Sequence, residues 1–401
     1  MTPKRVLFLS YNGLLEPIFR SQGLAYLKEL SKKGTEIILL TFEKKGDLRN
    51  AGKAGLLAFR QELKKENIVW HFALYHKRPP IFSTLYDLCI GFWRAWFLAR
   101  RHSVNLIHAR GSIPAGFGWP VARVLKKPFL FDMRGFLAEE YADGGLWKRN
   151  GLIFRLVSRF ERRLLKSADW IVVLTGRASR YLRKRTLVPE GTPVTVIPCC
   201  VDFRRFHGAK GPRSKEFVLT YIGSLGTWYL LDEMFAFYQV MKKKIPKSSF
   251  RLFTQTHDRF LTEKLRRFSG GGLLCREIGY EEVPKALSET HAGVSFIKPV
   301  FSKMASSPTK VGEYLASGIP VVLNADVGDT ESLIRENRVG VVVDRFNRDS
   351  YEKAAVELEE LLKEGESLSA RCRRVAETHL SLEEGVKRYH EIYETLSGGI
   401  A

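Results

Sequence analysis

A lysine and a glutamate stand three residues apart in the segment SSPTKVGEYLASGIPVVLN, residues 306–324. Polar residues open this stretch, and a helical pattern runs to Gly318 and Pro320 before a buried strand. In that setting Lys310 is a cation beside a helix amino terminus, which suits a diphosphate. Glu313, about one turn in, offers two oxygens to the two hydroxyls of a ribose. The same spacing also describes a solvated ion pair on a surface helix. A second candidate, Gly223-Ser224-Leu225-Gly226-Thr227, follows an apolar run and precedes a helical pattern at Leu231, Met234, Phe235 and Tyr238. Backbone N–H groups there would face an anion. The element is neither GxGxxG nor a P-loop, and an ordinary glycine turn reads the same way. Tyr280, Ser307 and Thr309 complete the polar positions of this half.

The amino-terminal half has its own set. Ser10-Tyr11-Asn12-Gly13, His108-Ala109-Arg110-Gly111 and Asp132-Met133-Arg134-Gly135 each come at the end of an apolar run, the last followed by Glu139, Glu140 and Asp143. His108 and Arg110 stand where a sugar would be touched, although a histidine before a loop is as often tied to backbone alone. If a general base is required, Asp132, Glu139 and Glu140 are the carboxylates at hand.

The elements that must position these residues are short apolar runs separated by helical patterns. They fall at 6–10, 37–42, 68–74, 106–108, 129–132, 171–174 and 194–197, then restart at 217–223, 250–254, 273–278, 294–297, 320–323 and 339–343. Such runs fit parallel strands buried on both faces. Two series imply an α/β protein of two doubly wound, Rossmann-like domains, with ligands beyond the carboxyl ends of the strands in a cleft between them. The linker is read at 198–213, so the expected domains are 1–200 and 201–380, with an amphipathic helix at 381–396.

The chain has 401 residues, 45% of them hydrophobic and 27% charged, which is ordinary for a chain that folds throughout. Five cysteines without CxxC spacing indicate neither a disulfide framework nor a zinc site and fit a reducing, cytoplasmic compartment. The first ten residues read as a strand rather than a signal segment. The most apolar stretch, 85–99, is broken by Asp87 and Arg94 and so is no membrane span.

These residues resemble the retaining glycosyltransferases of the GT-B fold, family 4. The resemblance is carried by Glu313 to Val322 (EYLASGIPVV), by Ile197-Pro198-Cys199-Cys200-Val201-Asp202 with Phe206, and by Ala168-Asp169-Trp170-Ile171-Val172-Val173. It implies a nucleotide-diphospho-sugar donor, with Glu313 on the ribose and Lys310 and the 224–227 loop on the diphosphate. The loop at Asn12-Gly13 would approach the sugar phosphate from the other domain; Asn12, Arg110 and Glu139 are the acceptor-binding candidates of this half. It also implies that the tail helix returns to the amino-terminal domain. Ala305 stands where many members carry a second glutamate, and Thr227-Trp228-Tyr229-Leu230 replaces their arginine and lysine. Asp132 and Arg134, with His108, take the place of the family's catalytic histidine. No metal or cofactor is expected, since GT-B enzymes generally need none and the chain has no DxD. Retention by front-face displacement follows from the resemblance alone. A UDP-sugar epimerase and a non-catalytic sugar-binding or assembly protein of the same fold are the alternatives.

The formal charge is +22. Lys148, Arg149, Arg155, Arg159, Arg162, Arg163 and Lys166 are opposed in their segment only by Glu161, and the helix before them carries Phe92, Trp93, Trp96 and Phe97. This pairing suits an anionic membrane surface, so a glycan or lipid-linked acceptor at the inner face of the plasma membrane is expected. Equally, the apolar stripe would pack on the sheet and leave the arginines solvated. No nucleic-acid-binding pattern is present, and no nucleic acid is expected as partner.

Overall fold

The structure is a computed structural model that describes residues 4–206, 216–256, 259–268 and 271–398. It divides into two units, residues 1–198 with 382–401, and residues 199–381. Of the linker read at 198–213, residues 207–213 lie outside the described residues.

In the first unit seven strands form one parallel sheet: β1 (Lys4–Ser10), β2 (Thr35–Glu43), β3 (Ile68–Leu74), β4 (Leu106–Arg110), β5 (Phe129–Met133), β6 (Trp170–Val173) and β7 (Val194–Val196). Their order is β3-β2-β1-β4-β5-β6-β7. The second unit has β8 (Phe217–Ile222), β9 (Ser248–Phe253), β10 (Leu273–Arg276), β11 (Ala292–Ser295), β12 (Val321–Asn324) and β13 (Gly340–Val343). These lie in the order β10-β9-β8-β11-β12-β13, again all parallel. The central strands read as continuous apolar runs because helices cover both faces, and β1, β8, β12 and β13 are buried almost end to end.

Strand order reverses between β1 and β4 in one sheet and between β8 and β11 in the other. At such a point the loops leave the sheet in opposite directions and a crevice opens beyond the carboxyl ends. Ser10 to Gly13 and Arg110 border the first, and Gly223 borders the second.

Two helices depart from what periodicity implies. The helix Pro80–Arg101 buries Ser83, Asp87, Gly91, Ala95, Leu98 and Ala99. Its large residues point outward, with Phe82 72% and Trp93 64% exposed. The cause is close packing on the neighbouring helix Ser112–Leu125: a Cβ on Gly91 would lie 2.7 Å from the Phe117 ring. The basic helix Leu152–Ser167 buries Leu164, Leu165 and the lone acid Glu161, while Leu152, Ile153 and Leu156 stay exposed beside the arginines. No helix among the described residues is long and apolar enough to cross a membrane.

Candidate functional site

The helix Thr309–Ala316 starts beyond the carboxyl end of β8 and is fixed there by Tyr314. The Tyr314 hydroxyl accepts from the Ile222 N–H at 3.0 Å and donates to the Thr220 carbonyl at 3.1 Å. Lys310 and Glu313 are therefore both buried, each 7% exposed, rather than a solvated surface pair. The Lys310 ammonium lies 4.2 Å from the ring centre of Tyr221 and 3.7 Å from that of Tyr229, and donates to the Tyr221 hydroxyl at 3.1 Å. Gly223 leaves room for it, since a Cβ there would sit 3.1 Å from Nζ, and its φ of +130° suits glycine. Burial lowers the Lys310 pKa to about 7, with Glu313 pulling weakly the other way. Burial raises Glu313 to about 7 against the attraction of Lys310 and Arg205. No hydrogen bond reaches the Glu313 carboxylate among the described residues, so its two oxygens are unused.

The remaining donor-side candidates are less concentrated. The helix after β8 begins at Leu231, so Ser224, Gly226 and Thr227 form an exposed loop and not a helix amino terminus. Two of that loop's N–H groups are already engaged, Gly223 by the Phe253 carbonyl and Leu225 by the Thr256 hydroxyl. Ser307 accepts from the Cys199 N–H at 3.1 Å, and Thr309 is the half-buried first residue of the helix. Tyr280 is clamped by Arg205, whose guanidinium lies 4.0 Å from its ring centre.

At the β1/β4 crevice the candidates converge on Asp132, which is fully buried. It pairs with Arg110 at 3.1 Å and Arg134 at 3.3 Å, lies 3.6 Å from His108 Nε2, and accepts from the Tyr389 hydroxyl at 3.0 Å. Burial alone would raise its pKa, but Arg134, His108 and Arg110 outweigh that and hold the carboxyl well below the usual range. Such a carboxylate is a hub that orients its neighbours and is unsuited to take a proton. His108 is equally enclosed, with Nδ1 sharing a 2.7 Å hydrogen bond with Tyr393, and burial lowers its pKa. Both tyrosines come from the helix Leu382–Gly398, which belongs to this unit. Glu139 is half-buried and paired with Arg149.

Asn12 and Gly13 are held differently from the loop that the sequence implies. The Asn12 N–H goes to Ser10 Oγ, the Gly13 N–H to Glu16, and the Leu14 and Leu15 N–H groups to Glu43. Glu43 is fully buried, accepts also from Thr41, and is raised in pKa by that burial. An internal carboxylate thus fills the place where a phosphate would have found open N–H groups. Gly13 is required because a Cβ would lie 2.5 Å from the Glu43 carboxylate. Glu43, Asp87, Tyr221, Tyr229, Arg205 and the two tail tyrosines were not singled out from sequence. A carboxylate inside an apolar run, as at 43 and 87, was the available signal, because a buried acid must find partners. Among the described residues no group of three or more His, Cys, Asp or Glu is placed to hold a metal ion.

Residues 24–205 match the family model Glycosyltransferase Family 4. A search among curated protein sequences finds no match. Solved structures of similar fold include the sucrose-phosphate synthase of Thermosynechococcus elongatus, 15% identical, covering 99% of this chain and 100% of its own, with a TM-score of 0.77. HepE of Anabaena, solved with UDP and glucose, is 14% identical over 97% of this chain and 99% of its own, at 0.70. WaaG, a glycosyltransferase involved in lipopolysaccharide biosynthesis, is 14% identical over 97% and 99%, at 0.68. The family model matches residues 24–205, and the two parallel sheets share the GT-B fold of these solved structures.

Proposed function

We propose that the chain transfers a sugar from a nucleoside-diphosphate donor to an acceptor hydroxyl, retaining configuration and without a metal. The observation that carries this reading is the Glu313 carboxylate, buried and without a hydrogen-bond partner among the described residues, one turn from the buried Lys310. A ribose offers two adjacent hydroxyls to such a group, and a diphosphate would satisfy Lys310. HepE, of the same fold, was solved with UDP and with UDP-glucose. As the glycosyl–phosphate bond breaks, charge grows on the leaving diphosphate. Lys310, held by Tyr221 and Tyr229 in a water-poor setting, is already oriented to receive it. Gly223, against which the Lys310 ammonium lies, together with Ser224, Gly226, Thr227, Ser307, Thr309 and Tyr280, is proposed to complete the donor site. On this reading, taken from the resemblance, the leaving phosphate takes the acceptor proton, which agrees with Asp132 being held by two arginines and Glu139 being engaged by Arg149.

The test is a thermal-shift panel of nucleoside diphosphates on the wild type and Glu313→Ala. Stabilisation by one base, lost in the variant, is expected; none by any base overturns the donor reading in favour of a non-catalytic protein of this fold.

The acceptor is proposed to be a surface glycan or its lipid-linked precursor, met at the cytoplasmic face of an anionic membrane. Support comes from exposed Phe82, Trp93 and Phe97 on the helix Pro80–Arg101 and, on the helix Leu152–Ser167, from exposed Leu152 and Leu156 in the same stretch as exposed Arg155, Arg159 and Arg162. Co-sedimentation with phosphatidylglycerol vesicles is expected to weaken at high salt and in the triple substitution Arg155→Ser/Arg159→Ser/Arg162→Ser. Binding that ignores both would reject this face.

A further inference from the structure

A third cluster of the first unit belongs to neither set of candidates. Asp87, fully buried in the helix Pro80–Arg101, uses both oxygens on one short stretch of the carboxyl edge. Oδ1 meets His76 Nδ1 at 2.6 Å, while Oδ2 accepts from the Tyr11 hydroxyl at 2.7 Å and from the His76 N–H at 3.1 Å. His76 stands two residues beyond β3, and Tyr11 directly follows β1.

A carboxylate only accepts, so His76 Nδ1 carries a proton in this pair, and in the neutral ring Nε2 is the acceptor. Nε2 has no hydrogen-bond partner among the described residues, and the side chain is 33% exposed. The imidazole is therefore a hydrogen-bond acceptor of fixed tautomer, oriented by a group that cannot turn away. One aromatic ring packs on it, Tyr86 at 5.1 Å between ring centres, and the adjacent Tyr75 lies 5.3 Å from the ring of Tyr11, the other partner of Asp87. Tyr141, stacked on Trp147 at 4.3 Å, is pushed up in pKa by burial and then by the neighbouring Tyr75 and Glu140. Ring faces with one directed polar acceptor suit a sugar ring, apolar on its C–H side and hydroxylated at its edge. Exposed Ile81, Phe82 and Leu85 continue from Tyr86 along the same helix and suit an acyl chain.

We propose that His76, fixed by Asp87 and flanked by Tyr75 and Tyr86, accepts a hydroxyl of the sugar ring of a glycolipid acceptor. This rests on the transferase reading and names its second substrate class. His76 is here a binding residue that orients the acceptor hydroxyl, with no proton transferred to it.

The test uses the full chain labelled with 15N-histidine and octyl glycosides of glucose, galactose, mannose and N-acetylglucosamine below micellar concentration. The His76 signal is assigned by its loss in His76→Gln, whose fold is checked by a thermal melt because the buried Asp87 loses a partner in it. The Nδ1–H tautomer is expected in the free protein, with saturable movement of the Nε2 resonance by at least one glycoside. Binding followed by tyrosine and tryptophan fluorescence should weaken tenfold or more in His76→Gln. An Nε2–H tautomer, no response to any glycoside, or undiminished binding by His76→Gln each overturns the proposal. Nucleoside-diphosphate stabilisation, measured on the same samples, separates the two readings. Its absence with glycoside binding intact sinks the donor reading alone, and its presence without glycoside binding sinks this one alone.

Discussion

The two strand-order reversals are built from similar parts and left in opposite states. Beyond β1 and β4, charged and polar groups are matched internally: Glu43 takes the N–H groups of Leu14 and Leu15, and Asp132 takes Arg110, Arg134 and Tyr389. Beyond β8, Lys310 has aromatic faces and one hydroxyl, and among the described residues no carboxylate lies within ion-pair distance of it and no hydrogen bond reaches the Glu313 carboxylate. Burying a charge without its full set of partners costs free energy that nothing in the free fold returns. The carboxylates of the first crevice are therefore satisfied within the fold, whereas the second holds a buried lysine and glutamate that, on the proposed reading, an anion and a diol complete.

The comparison breaks most readily at Asp132. Asp132→Ala takes the buried carboxylate shared by Arg110, Arg134 and Tyr389 out of the set, and removing one partner of such a set costs about 3–5 kcal/mol. Lys310→Met removes an unmatched charge instead, so the free protein is expected to melt no lower than wild type while losing nucleoside-diphosphate stabilisation. Urea denaturation of the two variants decides this; equal losses of stability would erase the distinction between the crevices.

Glu43→Gln is a gentler probe. The side chain keeps its shape but swaps one acceptor oxygen for a donor facing backbone N–H groups, at a cost of about 1–3 kcal/mol. Thermal melts should show that loss with nucleoside-diphosphate stabilisation unchanged, because the carboxylate serves the fold. Loss of stabilisation in this variant would instead tie the β1 loop to the donor.

Why the two crevices were unequally legible is physical. Strands were readable because both faces of a parallel sheet are covered, which makes 37–42 or 339–343 an unbroken apolar run. Lys310 and Glu313 stood out because their spacing fixes them on one helix. Their cage did not, since Tyr221 and Tyr229 look like any other apolar positions until their rings are seen around an ammonium. Asp87 was visible only as an interruption of a hydrophobic stretch, yet its burial sets the orientation of His76 and Tyr11. Helical spacing gives a stripe without saying which way it turns. Leu382–Gly398 buries Tyr389 and Tyr393, while Pro80–Arg101 turns its aromatics outward because Gly91 lets it approach Phe117.

The smallest expected effect is also the sharpest test of the incomplete crevice, because pH moves stability and affinity in opposite directions. Lys310 in the free protein titrates at about 7 instead of 10.5, so between those values the unfolded chain holds a proton that the native protein has released. The unfolded state binds more protons there, and this group's contribution to stability rises with pH. A bound diphosphate favours the ammonium, so binding takes up that proton and the Kd should grow by up to about tenfold per pH unit above 7. Glu313 acts in the lower window: from 4.5 to about 7 the native protein holds the proton that the unfolded chain lacks, so its contribution to stability falls as pH rises. Melting curves from pH 5 to 9, with and without the stabilising nucleotide, should therefore diverge least above neutrality. In Lys310→Met the dependence of affinity on pH above 7 should flatten. A wild-type affinity independent of pH would mean that Lys310 is not the cation receiving the diphosphate.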